Sequence, residues 1–230
     1  MRPRKPEKII QNILINLFVN HFKTASKTVR ASIPAAMAQT YRINEIFYSL
    51  QGEGFHTGTP AVFIRFSGCN LSCPFCDTDF ASYEELTVRQ IAERVGALLP
   101  EETQQLRSPI LVLTGGEPAL QADAALLEVL HRELRLPIHI ETNGTLPLPK
   151  GIDWVTCSPK EGSEVVLREA SEVKVVYTGQ DVERWTAAIR AQHYFLQPCS
   201  CANTEAVVAY IKSHPWWRLS MQIHKYLGIR

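Results

Sequence analysis

Cys69, Cys73 and Cys76 stand in the run Gly68-Cys-Asn-Leu-Ser-Cys-Pro-Phe-Cys-Asp77, and no other feature restricts this chain so strongly. Eight residues carry three thiols, so one short loop must turn all of them toward a single small inorganic body. Three thiolates are one fewer than a closed structural zinc site or a four-cysteine iron–sulfur cluster uses, which leaves the site an open position and so suggests catalysis. The plainer readings are a zinc knuckle with a distant fourth ligand and a disulfide with one thiol left over. Zinc loops usually come as paired C-x2-C or Cys/His sets, and neither a His nor a second C-x2-C follows within twenty residues. Six cysteines in 230 residues are also too sparse for a disulfide scaffold.

A chain of this length with 45% hydrophobic and 20% charged residues can bury one sizeable core. Its formal charge of +1 hides an asymmetry. Residues 1–40 hold seven basic side chains (Arg2, Arg4, Lys5, Lys8, Lys23, Lys27, Arg30) against one acid, Glu7; the remainder holds 17 against 22, or −5. That balance argues against a nucleic-acid partner. The apolar run Ile9–Phe22 is broken by Gln11, Asn12, Asn16 and Asn20, so it is neither a spanning helix nor a clean secretory segment. Residues 1–37 are therefore read as an N-terminal extension, disordered or lying ahead of the true start, in preference to an organellar targeting peptide. Residues 38–230 are read as the single folded domain of a cytoplasmic protein with no membrane partner.

From Tyr41 onward short β-rich runs alternate with helix-period stretches. The candidate strands are 61–66, 110–114, 138–142, 154–156, 173–177, 194–197 and 219–222. Helical patterns lie at 87–99, 121–134, 181–192 and 204–213. Strand, helix, strand in repetition predicts parallel crossover units, and the most economical architecture is an α/β partial barrel, curved and partly open, with its site at the carboxyl ends of the strands. Three apolar strands end in polar tips: Thr114-Gly115-Gly116-Glu117-Pro118, Glu141-Thr142-Asn143-Gly144 and Ser158-Pro159-Lys160. In the first, paired glycines let a ligand approach the backbone.

The C-x3-C-x2-C loop, with Phe75 before its last cysteine, resembles the signature of the radical S-adenosylmethionine enzymes, and Gly115-Gly116 falls where that superfamily has its second motif. Within the superfamily, Asn44–Gly54, Cys76-Asp77-Thr78 and Arg218–Gly228 resemble the 7-carboxy-7-deazaguanine synthase family, over essentially residues 38–230. The resemblance implies a [4Fe–4S] cluster on Cys69, Cys73 and Cys76 whose fourth iron binds S-adenosylmethionine. It implies contacts to that cofactor from Phe75, Cys76, Asp77, Gly116, Ser158, Pro159 and Lys160, and an Mg²⁺ ligand in Thr78. Leu50, Gln51, Gly52, Arg65 and Thr114 match pterin-binding positions, with His224 and Lys225 as further candidates.

The activity so implied is a carbon–nitrogen lyase of queuosine biosynthesis. It converts 6-carboxy-5,6,7,8-tetrahydropterin to 7-carboxy-7-deazaguanine with loss of ammonia. A 5′-deoxyadenosyl radical takes a ring hydrogen and later returns it, so no side chain is assigned as catalytic. The implied partners are an electron donor such as flavodoxin or ferredoxin, and a second copy in a homodimer. Arg65 is chemically apt, since a guanidinium pairs bidentately with a carboxylate. Thr78 alone is a poor anchor for a cation that prefers six oxygens, so water and the substrate carboxylate must complete the shell.

Two other readings stay open. A glycyl-radical activating enzyme shares the cysteine loop and Gly-Gly-Glu-Pro but acts on a protein, and a non-enzymatic iron–sulfur or zinc protein needs no glycine-rich strand tips. Cys157, Cys199 and Cys201 depart from the family pattern and are expected to be free thiols. Ile223 stands where the family usually has Thr, and the segment up to Arg230 is a candidate lid.

Overall fold

The computed structural model describes residues 39–74, 76, 82–100 and 109–230. The extension assigned to 1–37, and the assignments to Phe75, Asp77 and Thr78, lie outside these residues. The strands are β1 (Thr40–Leu50), β2 (Pro60–Phe66), β3 (Glu84–Thr87), β4 (Ile110–Gly115), β5 (Ile138–Thr142), β6 (Trp154–Cys157), β7 (Glu169–Tyr177), β8 (Arg190–Pro198) and β9 (Arg218–Leu219). The helices are α1 (Val88–Leu98), α2 (Ala124–Leu134), α3 (Glu183–Ala188), α4 (Thr204–Ser213) and α5 (Ile223–Leu227), with single 3-10 turns at Pro118–Leu120 and Cys199–Cys201. None of the described helices is long and apolar enough to cross a membrane.

The nine strands among the described residues form one sheet in the order β3-β1-β2-β4-β5-β6-β7-β8-β9. Every pairing from β2 to β9 is parallel, and β1 runs antiparallel to both β2 and β3. Because β3 and β9 remain edges, the barrel is partial, as the strand and helix pattern predicts. Alternation along the strands sorts side chains between two faces. Val62, Ile64, Phe66, Leu111, Leu113, Ile138 and Ile140 point outward and bury the apolar stripes of α1 and α2, among them Ile91, Val95, Leu126, Leu127 and Leu130. A second outer core joins Val173, Val175 and Leu196 to Val182, Trp185, Val207 and Trp217. Helix entry is set locally. Thr87 and Gln90 form a reciprocal capping box on α1, and Asp123 caps α2 by accepting from Leu126 N at 2.9 Å.

The inner face is layered. Phe47, Ala61, Phe63, Ile110 and Val112 form an apolar patch on one side. Farther round, loop 51–59 closes the barrel floor: Phe55 stacks on His193 with centroids 4.3 Å apart, and His56 meets His139 at 4.6 Å and Trp154 at 4.5 Å. Nearer the carboxyl ends the inner residues become polar: Arg65, Thr114, Glu141, Thr156, Glu172 and Lys174.

Some element boundaries differ from those the sequence predicts. The segment preceding residue 61, given no element by the sequence pattern, holds an eleven-residue strand, 40–50, hidden by a register shift between Ile43 and Glu45 that breaks the alternation. The helix predicted over 181–192 stops at Ala188, and Arg190 already belongs to β8. The strand predicted over 219–222 shrinks to Arg218–Leu219. Ser220 and Gln222 leave the sheet, with their side chains bonded to Gln197 (3.1 Å) and Glu53 (2.9 Å). His224 and Lys225 then fall on the unpredicted helix α5.

Candidate active site

The three motif tips converge at the carboxyl end of the barrel, and the contacts that bring them together are specific. Gly115 has φ +115°, and a Cβ there would overlap the Phe66 backbone, so only glycine lets β4 approach the end of β2 this closely. Gly116 N then donates to Phe66 O at 3.0 Å, and Glu117 N to Gly68 O at 2.9 Å, tying the Gly-Gly turn to the root of the cysteine loop. The Glu117 carboxylate is wholly buried. It accepts from Thr142 Oγ1 (2.7 Å), Asn143 N (2.7 Å) and Ala119 N (3.0 Å). Burial pushes its pKa above the usual carboxylate range, against the pull of those donors. Asn70, inside the cysteine loop, accepts from Asn143 Nδ2 at 3.0 Å and donates to Thr145 Oγ1 at 2.8 Å. The loop is thereby fastened to the tips of both β4 and β5.

Cys69, Cys73 and Cys76 line one cavity together with Gly115, Gly116, Asn143, Ser158 and Lys160. Among the described residues no three His, Cys, Asp or Glu side chains converge on a point that a single metal ion would occupy. Three thiols on the wall of one cavity suit a cluster, in which each thiolate binds a different iron. Leu71 N donates to Cys69 Sγ at 3.4 Å, a bond that also suits a cluster thiolate. Burial pushes the Cys69 thiol up, so metal binding must displace a firmly held proton. Lys160 Nζ donates to Ser158 O (2.7 Å) and Ser158 Oγ (2.8 Å), with its pKa lowered by burial. Pro159 is buried between them and does not line the cavity.

A second cavity adjoins the first. Leu50, Gln51, Gly52, Arg65, Thr114 and His224 all line it, so six of the seven residues matched to pterin positions come together. Lys225 does not join them, because the turn of α5 places it on the cysteine cavity. Glu53, Thr114, Gly115, Glu141 and Gln222 line both cavities. At one end of the second cavity Glu45 accepts from Arg65 Nε at 2.9 Å and also pairs with Arg230, both guanidiniums lying beside the Phe47 ring. Elsewhere on its wall Glu53 and Glu141 pair with Lys174 of β7, Glu141 at 3.4 Å, while Lys174 itself lines only the cysteine cavity. Burial alone would raise the Glu53 carboxyl; Lys174 reverses this and holds it at about 2. Burial likewise opposes the Lys174 charge, and Glu141, Glu53 and Glu172 more than offset it, keeping its pKa above the ordinary lysine value.

Sequence reasoning passed over Glu53, Lys174, Gln222, Asn70 and Glu117 as site residues. Glu53 and Gln222 stand inside segments quoted for the family resemblance, and Glu117 inside the Gly-Gly-Glu-Pro tip, so a signal for those three was present. Of the extra cysteines, Cys157 is buried beneath Gly144 with its thiol pushed up to about 12, whereas Cys199 lines the cysteine cavity.

The model of the Radical SAM superfamily matches residues 63–195. A 7-carboxy-7-deazaguanine synthase of Bacteroides thetaiotaomicron is 53% identical over 189 residues, covering 82% of this chain and 98% of that protein. One from Nitratidesulfovibrio vulgaris is 42% identical over 218 residues, covering 83% and 99%. The crystal structure of QueE from Escherichia coli superposes with a TM-score of 0.67 at 28% identity, covering 84% of this chain and 99% of that one. A partial parallel barrel with a three-cysteine loop at its carboxyl end, matched over more than half its length, is a radical S-adenosylmethionine protein. Within that superfamily the chain belongs to the 7-carboxy-7-deazaguanine synthase family.

Proposed function

We propose that this protein is a radical S-adenosylmethionine lyase that converts 6-carboxy-5,6,7,8-tetrahydropterin to 7-carboxy-7-deazaguanine and ammonia in queuosine biosynthesis. Product plus ammonia has the composition of the substrate, so the reaction needs no external oxidant. Cys69, Cys73 and Cys76 would hold a [4Fe–4S] cluster, which would supply the one-electron chemistry that cleaves bound S-adenosylmethionine. Every other task belongs to the chain: holding two ligands at adjoining positions and keeping water out.

The observation that carries this reading is the shared wall of the two cavities. A reactive species made in the first needs a substrate within reach, and the wall between them includes Gly115, which has no side chain to block the way. The second cavity is also polarised, with Arg65 and Arg230 at one end and Glu53 and Glu141 at the other. A carboxylated pterin has the matching polarity: its carboxylate suits a guanidinium, and the N–H edge of its aminopyrimidinone suits carboxylate acceptors. A glycyl-radical activating enzyme would instead need an opening for a protein loop. Here α5 packs over the substrate cavity, with Ile223 N donating to Gly52 O at 3.0 Å and Ser49 Oγ to Arg230 O at 2.5 Å.

The same reading assigns Phe75, Cys76, Asp77, Gly116, Ser158, Pro159 and Lys160 to S-adenosylmethionine, and Leu50, Gln51, Gly52, Arg65, Thr114, His224 and Lys225 to the pterin. Thr78, with water and the substrate carboxylate, would hold Mg²⁺. The enzyme works in the cytoplasm with a flavodoxin or ferredoxin as donor, and as a homodimer; exposed Leu219, Tyr226 and Leu227 support a partner surface. Residues 1–37 form an extension outside the catalytic domain. The test is anaerobic reconstitution with iron and sulfide, followed by incubation with reductant, S-adenosylmethionine, Mg²⁺ and the pterin. The proposal requires 7-carboxy-7-deazaguanine to form, and a cluster-loaded protein that makes none would refute it.

A further inference from the structure

The wall shared by the two cavities carries charges that do not cancel. Lys174 Nζ reaches Glu53 and Glu141, and Glu172 lies two residues away on the same face of β7. Other charged or titratable groups facing Glu53 are His224 from α5 and the more distant Lys160. Lys174 lines the cysteine cavity but not the substrate cavity, whereas Glu53 and Glu141 line both.

We propose that Lys174 is a positioning residue of this reaction: its ammonium pairs with both Glu53 and Glu141 and holds their carboxylates side by side, turned toward the substrate cavity as acceptors for the N–H edge of a reduced pterin. The inference rests on the substrate reading given above and adds to it the group that makes that wall anionic. Two carboxylates in one desolvated wall repel, and without a cation between them one takes up a proton. A protonated carboxyl donates where the ring needs an acceptor. Acceptor counting supports the role. Glu53 accepts from Lys174 on one oxygen and Gln222 on the other; Glu141 accepts from Lys174 and Gln51 on one oxygen and Thr114 on the other. With about four acceptor positions per carboxylate, roughly three remain across the pair, on side chains that are 15% and 21% exposed.

The test compares Lys174→Met, Lys174→Arg and the pair Lys174→Met/Glu53→Gln in reconstituted full-length protein, with iron content and melting temperature as controls. In Lys174→Met, KM for the pterin should rise about tenfold or more, the change expected from losing one charge-assisted contact. S-adenosylmethionine cleavage without pterin is measured alongside, so that any effect of Lys174 on the cysteine cavity it also lines is separated from the change in KM. A new ionisation should also enter the pH profile of kcat/KM, as Glu53 loses the cation that holds it ionised, and it should vanish in the double variant. Lys174→Arg, which keeps the charge, should restore most of the KM. An unchanged KM and pH profile in Lys174→Met would overturn the proposal while leaving the substrate reading intact.

Should Lys174→Met fail to fold, the double variant is compared with Glu53→Gln alone, a KM higher in the double variant supporting the role and an equal KM refuting it. A direct titration separates this inference from the substrate reading. With ¹³C-carboxyl glutamate, the Glu53 resonance, assigned by its loss in Glu53→Gln, should titrate at higher pH in Lys174→Met than in wild type, whether or not the pterin turns over. Identical titration in both proteins would refute the role given to Lys174.

Discussion

The His224 imidazole occupies the space that a Cβ on residue 52 would need. Gly52 lies two residues beyond β1, in the loop that follows it, and His224 lies on α5. Their contact, with the Ile223 N to Gly52 O bond of 3.0 Å beside it, closes the substrate cavity with the tail of the chain.

Gly52→Ala should therefore displace α5 while leaving the cysteine loop loaded. The expected result is a KM for the pterin raised about tenfold or more, with unchanged iron content, since the loss is one of substrate positioning. Adding His224→Ala to Gly52→Ala removes the overlap and should recover tail docking, read as slower proteolysis near residue 223. If Gly52→Ala alone behaved like wild type, the tail would not close the cavity.

Glu117 gathers three donors from the β4 and β5 tips beneath the cysteine loop. Glu117→Ala would leave Thr142 and Asn143 without their buried acceptor, a loss of about 1–3 kcal/mol per abandoned group. Chemical denaturation should show the drop, and iron retained after gel filtration should fall with it. Full stability in this variant would mean that the tips are held by other contacts.

Acid should loosen the barrel floor before it affects the carboxylate wall. Burial lowers the pKa of His139 to about 4, with His56 also lowering it, and His56 is itself lowered by burial and by His193. Between that value and the unfolded histidine value of about 6.5, the unfolded chain binds more protons, so stability rises with pH across the window. The contribution is fully present above pH ~6.5 and is lost as pH falls toward 4. The Glu53 contribution, with its folded value at about 2, is lost only below the usual carboxylate value. Urea unfolding at pH 7.5 and 5.0 should show lower stability at the acid value, and His139→Gln should flatten the difference. Equal stability of wild type at the two pH values would contradict the assignment.

Cys157 fills space under Gly144, fully buried and off the wall of the cavity that Cys69, Cys73 and Cys76 line. Cys157→Ala should keep the full iron content of the wild type, whereas alanine at Cys69, Cys73 or Cys76 should abolish it. Loss of iron in Cys157→Ala would reassign the ligands.

Much of the inner barrel was legible because β4 and β5 are near-continuous apolar runs ending in polar tips, the pattern of strands buried on both faces. The cysteine loop and the grouping of residues around the second cavity were legible through local motifs, which place Leu50, Gln51 and Gly52 in three consecutive positions. What escaped depends on distant pairing or on broken periodicity. Lys174 meets Glu53 across 121 residues, and a lone lysine in a β-run gives no sign of its partner. β1 was hidden by its register shift, and α5, five residues long, is too short to show a helical period.

The most direct measurement counts products in one anaerobic reaction of the reconstituted enzyme with excess pterin and limiting S-adenosylmethionine. The account predicts 7-carboxy-7-deazaguanine and ammonia in equal amounts, both exceeding the 5′-deoxyadenosine released, because the radical carrier is regenerated. Cleavage of S-adenosylmethionine with no deazapurine, or one deoxyadenosine released for every product molecule, would contradict it.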